Sequence, residues 1–256
     1  MNLRLDLAYD GTSFHGFAKQ PNVRTVQGEI EGALTKILRG PVETHVAGRT
    51  DAGVHALGQV MSCPSAPEDT DVTRVKDALN GMCGPAIAAW SCSEIPDEWH
   101  ARFSARSRLY VYAVLESEVP DPFLARSTYR RPRLLDITAM NEAAGHLVGE
   151  HDFSSFGRVL SPEGSAVRIL YELRVTRQGR VVRIRARANA FIQQMVRSLV
   201  GTLVEVGEGR RKADEMPSVL EARDRAAAGL VAPPEGLCLV SVEYDEGWSR
   251  PVDPLD

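Results

Sequence analysis

The sequence predicts an α+β protein in which two ferredoxin-like β-α-β-β-α-β halves join into one broad, mostly antiparallel sheet with a central cleft. Three observations lead to this fold class. Apolar and polar residues alternate over short stretches, as in half-buried strands; stretches of helical period lie between them; and the same order of elements occurs twice. No long Gly/Ser-rich segment separates the halves, so a shared sheet is favoured over two domains on a flexible linker. We place the halves at residues 1–104 and 105–256.

The first half begins with a period-2 strand over residues 3–9 that ends at an Asp-Gly turn. Thr25 is placed to cap a helix whose apolar positions recur every three or four residues and which a Gly-Pro pair ends. We predict further strands over 42–47, 57–63 and 86–94, and a helix over 72–80 with Gly81 as its stop. The glycine-rich loop within residues 47–60 joins two of these strands, which puts it at a rim of the sheet.

The second half repeats this order of elements. Asp136 is placed to cap a helix that Gly149 stops, and Gln178-Gly179 marks the turn of a hairpin. We predict strands over 109–115, 167–176, 181–188 and 237–244, and helices over 190–206 and 216–223. Antiparallel sheets can leave one face exposed to water, and a large substrate could lie on that face.

The formal net charge of −4 conceals a segregation of charge along the chain. Between residues 168 and 197 the only acidic residue is Glu172, among the following arginines: Arg168, Arg174, Arg177, Arg180, Arg183, Arg185, Arg187 and Arg197. A basic face for a phosphate backbone and a solvated edge strand both explain this pattern. The residues alone leave the two interpretations open.

Neither the cysteines nor the histidines show the spacing of a metal site. The sequence also contains no phosphate-binding glycine motif of the P-loop or dinucleotide type. We therefore expect reduced thiols and a site that works without metal or cofactor. The first residues lack the apolar core of a secretion signal, and no run approaches the roughly 18 apolar residues of a membrane span. We expect a cytoplasmic protein that does not bind membranes.

Residues 47–60 read AGRTDAGVHALGQV, a loop in which glycines surround Arg49 and Asp51. Glycines allow a backbone to approach a ligand closely while a few side chains are presented. Asp51 is the candidate reactive group; a simple hairpin in which Asp51 forms an Asx turn is the structural alternative. The whole run resembles the signature loop of the tRNA pseudouridine synthase A family.

Four further segments carry the same resemblance across most of the chain. YDGTSFHGFAKQ matches an early loop of the family, except that Phe17 and Ala18 stand where Trp and Gln are usual. WHARFSARSRLYVY places Tyr110 at the active-site tyrosine of the family. The other matching segments are HDFSSF at residues 151–156 and RANAFIQQMVRSLVG at residues 187–201, which contains Arg197.

The resemblance implies a pseudouridine synthase fold whose cleft binds RNA, and an isomerase that converts uridine to pseudouridine at positions 38, 39 and 40 of the anticodon arm of tRNA. It implies a homodimer that binds tRNA and needs no cofactor. Asp51 would act as nucleophile or as acid/base, through a sugar ester or a glycal. Arg49 would fill the gap left by the extruded uridine, Tyr110 would hold its base, and Arg197 would pair with Asp51.

Two other classes of function remain as alternatives. A noncatalytic module could use the duplicated sheet to grip structured RNA, and Asp51 would then be replaceable. A glycosidase or base-excision enzyme could use the same carboxylate, and free uracil would then be its product.

Overall fold

A computed structural model describes residues 1–64, 66–161 and 163–248 of the chain, so residues 249–256 of the predicted second half lie outside the described part. The described residues form two compact units: unit 1 is Met1–Arg106 with residues 238–248, and unit 2 is Ser107–Leu237. The predicted α+β class with mostly antiparallel strands is confirmed. The division at residues 104 and 105 stays a prediction.

In chain order the elements are β1 (Asn2–Tyr9), α1 (Val26–Ile37), β2 (His45–Val46), β3 (His55–Cys63), α2 (Val72–Cys83), β4 (Ile87–Ile95), β5 (Ser107–Glu116), β6 (Tyr129–Arg131), α3 (Ile137–Gly145), β7 (Gly149–Asp152), β8 (Val167–Gln178), β9 (Val181–Ala188), α4 (Met195–Gly207), α5 (Met216–Ala222), β10 (Leu237–Tyr244) and β11 (Gly247–Trp248). Short 3-10 turns lie before α1, α5 and β10.

In unit 1, β1 lies between β3 and β4 and is antiparallel to both. The period-2 pattern of β1 buries Leu3, Leu5 and Leu7 completely, as predicted. β10 runs parallel to β3, with Cys238 opposite His55, and its residues from Cys238 to Tyr244 belong to unit 1. The helix predicted after Thr25 is confirmed, because the Thr25 hydroxyl accepts a hydrogen bond from the Gly28 N–H at 3.2 Å.

Two boundaries in unit 1 differ from the prediction. β2 contains two residues and not the six of 42–47, since the Thr44 hydroxyl instead donates to a carboxylate oxygen of Glu31 at 2.9 Å. α2 continues through Gly81 to Cys83, since a helix tolerates a glycine in its interior. A Cβ at Gly81 would meet nothing within 4 Å, so no close packing requires a glycine at this position. Its actual stop is Gly84, whose N–H donates to the Asn80 carbonyl at 3.1 Å.

In unit 2, β9 lies between β5 and β8, and β7 pairs with the other edge of β8, all antiparallel. The predicted hairpin is confirmed, with Gly179 at its turn in the left-handed region (φ +57°). The short β6, which the sequence did not predict, runs parallel to β5. The helix predicted over 190–206 begins only at Met195, because Gln194 has φ 64° and Gln193 forms a β-bridge with Arg158.

Candidate active site

The loop between β2 and β3 presents Asp51 at its tip. The Ala47 N–H donates to the Val60 carbonyl at 2.9 Å at the base of the loop. At the tip, the Val54 N–H donates to the Asp51 carbonyl at 3.2 Å, and Gly53 takes the positive φ (+79°) that the turn requires. Asp51 is half-buried, whereas Arg49 is exposed.

A second loop, at residues 10–18, packs against the back of this tip. The Phe17 N–H donates to the Thr50 carbonyl at 3.0 Å, and the Phe17 ring is fully buried. Gly11 allows the two backbones to approach, since a Cβ there would lie 2.0 Å from the Val54 carbonyl oxygen. Phe17 stands where the similar family loop usually has Trp. It is therefore a core residue whose backbone N–H supports the Asp51 loop.

Side chains from the strands hold both neighbours of Arg49. The hydroxyls of Tyr9 and Thr50 are 2.8 Å apart and hydrogen-bonded in a buried position. The Gln59 amide, fully buried, donates to the Gly48 carbonyl at 2.8 Å and to the Tyr9 hydroxyl at 3.3 Å. Sequence reasoning missed Tyr9, Thr50 and Gln59 as supports of the site. One signal was available for Tyr9, because it is the first residue of the YDGTSFHGFAKQ motif.

The Asp51 carboxylate is thus carried by a loop whose backbone is held by Tyr9, Phe17 and Gln59. Residues whose own position is determined by packing and hydrogen bonds can act on a substrate without a cost of reorganisation. Such a carboxylate can attack an electron-poor carbon or take a proton next to it.

The comparisons with known proteins match residues of both units. The family model described as tRNA pseudouridine synthase matches residues 7–104 and 143–245. The chain belongs to this family. Proteins named tRNA pseudouridine synthase A from Paraburkholderia phytofirmans and Paraburkholderia xenovorans are 43% and 42% identical to this chain over 249 residues, covering 97% of it and 92% of each relative. The relative of the same name from Burkholderia mallei is 41% identical over 251 residues.

One solved structure shows a much weaker likeness. A chain of a Cbf5–Nop10–Gar1 complex aligns with a TM-score of 0.33 and 14% identity, covering 79% of this chain and 54% of that one. This chain thus spans about half the length of that protein chain.

In this family member, Tyr110 lies on β5 opposite Ala186 of β9. Its side chain is 7% exposed, and its ring meets the ring of Phe191 edge-on at 5.2 Å between centroids. Phe191 belongs to the non-helical segment before α4, which the sequence had assigned to the helix. The aromatic pair fixes the orientation of the Tyr110 ring.

Arg197 lies on α4 beside residues that are almost completely buried, including Val196 and Leu199. Its Nε donates to the Ala232 carbonyl at 2.7 Å, and the Ala232 N–H donates back to the Arg197 carbonyl at 3.0 Å. These bonds hold the guanidinium at one place along the helix. Arg49 and Asp51 thus share a loop of unit 1, while Tyr110 and Arg197 belong to unit 2. The predicted pair between Arg197 and Asp51 stays a prediction.

The arginines of the β8–β9 hairpin are largely engaged within unit 2. Arg177 grips Glu116 with two hydrogen bonds of 2.8 and 2.7 Å, and Arg180 pairs with Asp121. Arg185 and Arg187 both approach Glu172, at 3.3 and 4.0 Å, and the Arg168 guanidinium donates to backbone carbonyls. On β9, Arg183, Arg185 and Arg187 alternate with completely buried residues, so they share the outer face of the strand.

Three further arginines lie just before or at the start of β5, and they occupy different environments. Arg106 forms a bidentate pair with Asp245, at 2.6 and 2.8 Å. Arg108 is buried and donates to the Asn189 carbonyl at 2.8 Å. Arg102 lies exposed over the Phe103 ring.

Within residues 1–64, 66–161 and 163–248, no group of three or more His, Cys, Asp or Glu side chains is arranged to hold a metal ion. The expectation of a site without metal or cofactor stays a prediction. No described helix is long and apolar enough to cross a bilayer. The four cysteines are free, and burial raises the pKa of Cys63 to about 11 and that of Cys92 to about 12, so both are neutral thiols at pH 7.

Proposed function

We propose that this chain converts uridines 38, 39 and 40 in the anticodon arm of tRNA to pseudouridine, with Asp51 as its catalytic carboxylate. Membership of the family makes the chain an isomerase that acts on uridine in tRNA. The observation that supports Asp51 is the loop that presents it, which Tyr9, Phe17 and Gln59 brace from separate elements.

The reaction explains why a carboxylate is sufficient. The bond between N1 of uracil and C1′ of the ribose breaks, the uracil turns, and C5 bonds to C1′ while the proton on C5 is released and N1 gains one. No atoms are gained or lost overall. The Asp51 carboxylate would either form an ester with C1′ or take a proton from the ribose to give a glycal.

A stacked uridine must leave its stem before Asp51 can reach the ribose. Arg49 is exposed at the same loop tip and would occupy the gap that the uridine leaves. The Tyr110 ring, held edge-on by Phe191, would lie against the extruded base.

We further propose that Arg197 pairs with Asp51 and keeps its carboxylate ionised and oriented. The support is a guanidinium held at a mostly apolar helix, where an unpaired charge is costly. A double-mutant cycle with Asp51→Asn and Arg197→Gln, measured as the free energy of unfolding, tests the pair, because strictly additive changes would contradict it.

We also propose that the protein is cytoplasmic, where its tRNA substrate is found, and that it acts as a homodimer. Sedimentation of the purified protein tests the second statement, and a monomer at the concentrations of the activity assay would contradict it.

The proposed reaction is tested with tRNA labelled with tritium at C5 of uracil. An isomerase releases tritium to water while every base stays attached to its ribose. A noncatalytic RNA-binding module releases no tritium, and a base-excision enzyme releases free labelled uracil. Either of the last two results would overturn the proposal, and mapping of the modified positions tests the assignment to positions 38, 39 and 40.

Tyr110→Phe tests whether the Tyr110 hydroxyl, as well as the ring that would lie against the base, is needed for the reaction. The variant keeps the ring and its contact with Phe191, so we expect tRNA affinity within about twofold and a turnover number lower by about 100-fold. Single-turnover kinetics with filter-binding measurements separate the two quantities. Equal loss of affinity and turnover would show that the hydroxyl only supports binding.

A further inference from the structure

A stack of three rings lies on unit 1 at the end of β2 remote from the Asp51 loop. The imidazoles of His45 and His100 are stacked at 4.5 Å between centroids with planes 19° apart. The Phe103 ring follows at 4.4 Å from His100, tilted by 39°. We call these three residues the ring stack.

The turn at residues 100–104 holds the ring stack rigidly. Nδ1 of His100 accepts hydrogen bonds from the N–H groups of Arg102 and Phe103, at 3.0 and 3.4 Å. The Ser104 hydroxyl accepts from the His100 N–H at 3.0 Å, and the Ser104 N–H donates to the His100 carbonyl at 3.0 Å. Ala101, at the centre of the turn, is completely buried.

This rigid turn nevertheless projects a large apolar ring into water. The Phe103 side chain is 76% exposed, and the Arg102 guanidinium lies 5.6 Å above its ring centroid. Burial, then the neighbouring His45 and Arg102, lower the pKa of His100, so its imidazole is neutral at pH 7. The side chains stacked on His100 are aromatic, and Arg102 adds a positive charge over Phe103, so this surface suits an anionic partner with flat apolar faces.

The ring stack is well separated from the Asp51 loop along the strands. His45 of β2 pairs with Ser62 near the end of β3, whereas Asp51 lies at the loop tip beside Val54, which precedes the first residue of β3, His55. Seven residues of extended strand span about 23 Å. A ligand of the ring stack is therefore a different part of the substrate from the reacting uridine.

We infer that the ring stack and Arg102 form an accessory RNA-binding site, in which an unpaired nucleobase stacks on Phe103 and the adjoining phosphate contacts Arg102. Aromatic rings bind bases of any sequence through their faces, and an adjacent cation adds affinity for the phosphate. A phenyl ring on a pre-ordered turn loses little conformational freedom when a base stacks on it. The inference rests on the proposed function, which supplies tRNA as the ligand.

Phe103→Ala, Phe103→Leu and Phe103→Trp test the site with unmodified tRNA. We expect Phe103→Ala and Phe103→Leu to weaken tRNA affinity by about tenfold, and Phe103→Trp to keep or improve it, because stacking needs an aromatic face. The turnover number at saturating tRNA should stay unchanged in all three, which separates this site from failure of the reaction itself. Phe123→Ala is the matched control, since Phe123 is 93% exposed in unit 2 and should leave affinity unchanged.

Arg102→Gln tests the phosphate contact. We expect the slope of log affinity against log salt concentration to decrease by about one, with no change in the turnover number. Wild-type affinity in Phe103→Ala, or full affinity in Phe103→Leu, would overturn the inference. A second copy of this chain is the other possible occupant of an exposed ring; loss of self-association in Phe103→Ala, measured by sedimentation without RNA, would also overturn it.

Discussion

The sequence singles out charged residues in both the Asp51 loop and the β8–β9 hairpin, but the arginines of the two regions lie in different surroundings. In the loop, hydrogen bonds from the Phe17 backbone and the neutral Gln59 side chain hold the backbone, and Arg49 is exposed. In the hairpin, Arg177, Arg180 and Arg185 bind acidic side chains of their own unit.

This difference shows that a count of arginines overstates the positive charge available to a nucleic acid. A guanidinium that already binds a carboxylate contributes less to phosphate binding than one that does not, since the pair is nearly neutral at a distance. We therefore expect substitutions in the loop to change chemistry, and most substitutions in the hairpin to change stability.

Among the substitutions that compare the loop with the hairpin, Gly11→Ala should lower the turnover number most. The new Cβ would lie 2.0 Å from the Val54 carbonyl oxygen, so the Asp51 loop must move. Because displacement of a catalytic group by about 1 Å can cost about 100-fold, we expect turnover to fall by at least that factor.

The matched control is Gly32→Ala, where the Cβ meets nothing within 4 Å on α1. This change should leave turnover unaltered and raise the free energy of unfolding by up to about 1 kcal/mol. If Gly11→Ala does not fold, Gly16→Ala is a second variant that should displace the Asp51 loop. Gly16 has φ +95°, and a Cβ there would lie 3.2 Å from the Thr50 carbonyl oxygen. Normal turnover in both loop variants would show that the bracing is not needed for catalysis.

Arg177→Gln should affect stability more than RNA binding. The Glu116 side chain is 1% exposed, and Arg177 supplies both of its guanidinium hydrogen bonds. Loss of one partner of a fully buried pair costs about 3–5 kcal/mol, and since Arg177 is 34% exposed we expect about 2 kcal/mol from denaturant unfolding. Below the unfolding transition, tRNA affinity should stay within about twofold of wild type; a tenfold loss would assign Arg177 to RNA binding.

Arg174→Gln should have the smallest effect. Arg174 is exposed on β8 opposite Arg185, and no described acidic side chain lies within ion-pair distance of it. We expect its loss to reduce the salt dependence of tRNA affinity by about one unit of slope and to leave unfolding unchanged. Arg74→Gln on α2, also exposed, is the control; an equal change of slope in both variants would show a general charge effect.

Local signals were sufficient for most of the elements. Thr25 and Asp136 cap α1 and α3 as predicted, since a cap depends only on neighbours in sequence. Gly81 misled because a glycine can continue a helix when a better stop, here Gly84 before a proline, follows. The start of α4 was wrong for a different reason: Gln193 bridges to Arg158, a contact that no periodicity of residues 190–206 reveals.

The sequence named candidate site residues through motifs, but it did not name the residues that support them. Asp51 and Arg49 stand in a motif long enough to identify, whereas the hydrogen bonds of Gln59 to Gly48 and Tyr9 depend on strand register. Ion pairs distant in sequence, such as Arg177 with Glu116, are likewise invisible in a charge count. The ring stack joins His45 to the turn at residues 100–104, and spacing along the chain gives no sign of it.

The role of Asp51 is tested most directly by tritium release from C5-labelled tRNA with purified Asp51→Asn. The amide has the shape of the carboxylate but neither its charge nor its nucleophilicity, so we expect no detectable release, with tRNA affinity close to that of wild type. Asp69→Asn, at an exposed carboxylate of the same unit, should release tritium at the wild-type rate. Wild-type release by Asp51→Asn would contradict the assignment of Asp51 as the catalytic group.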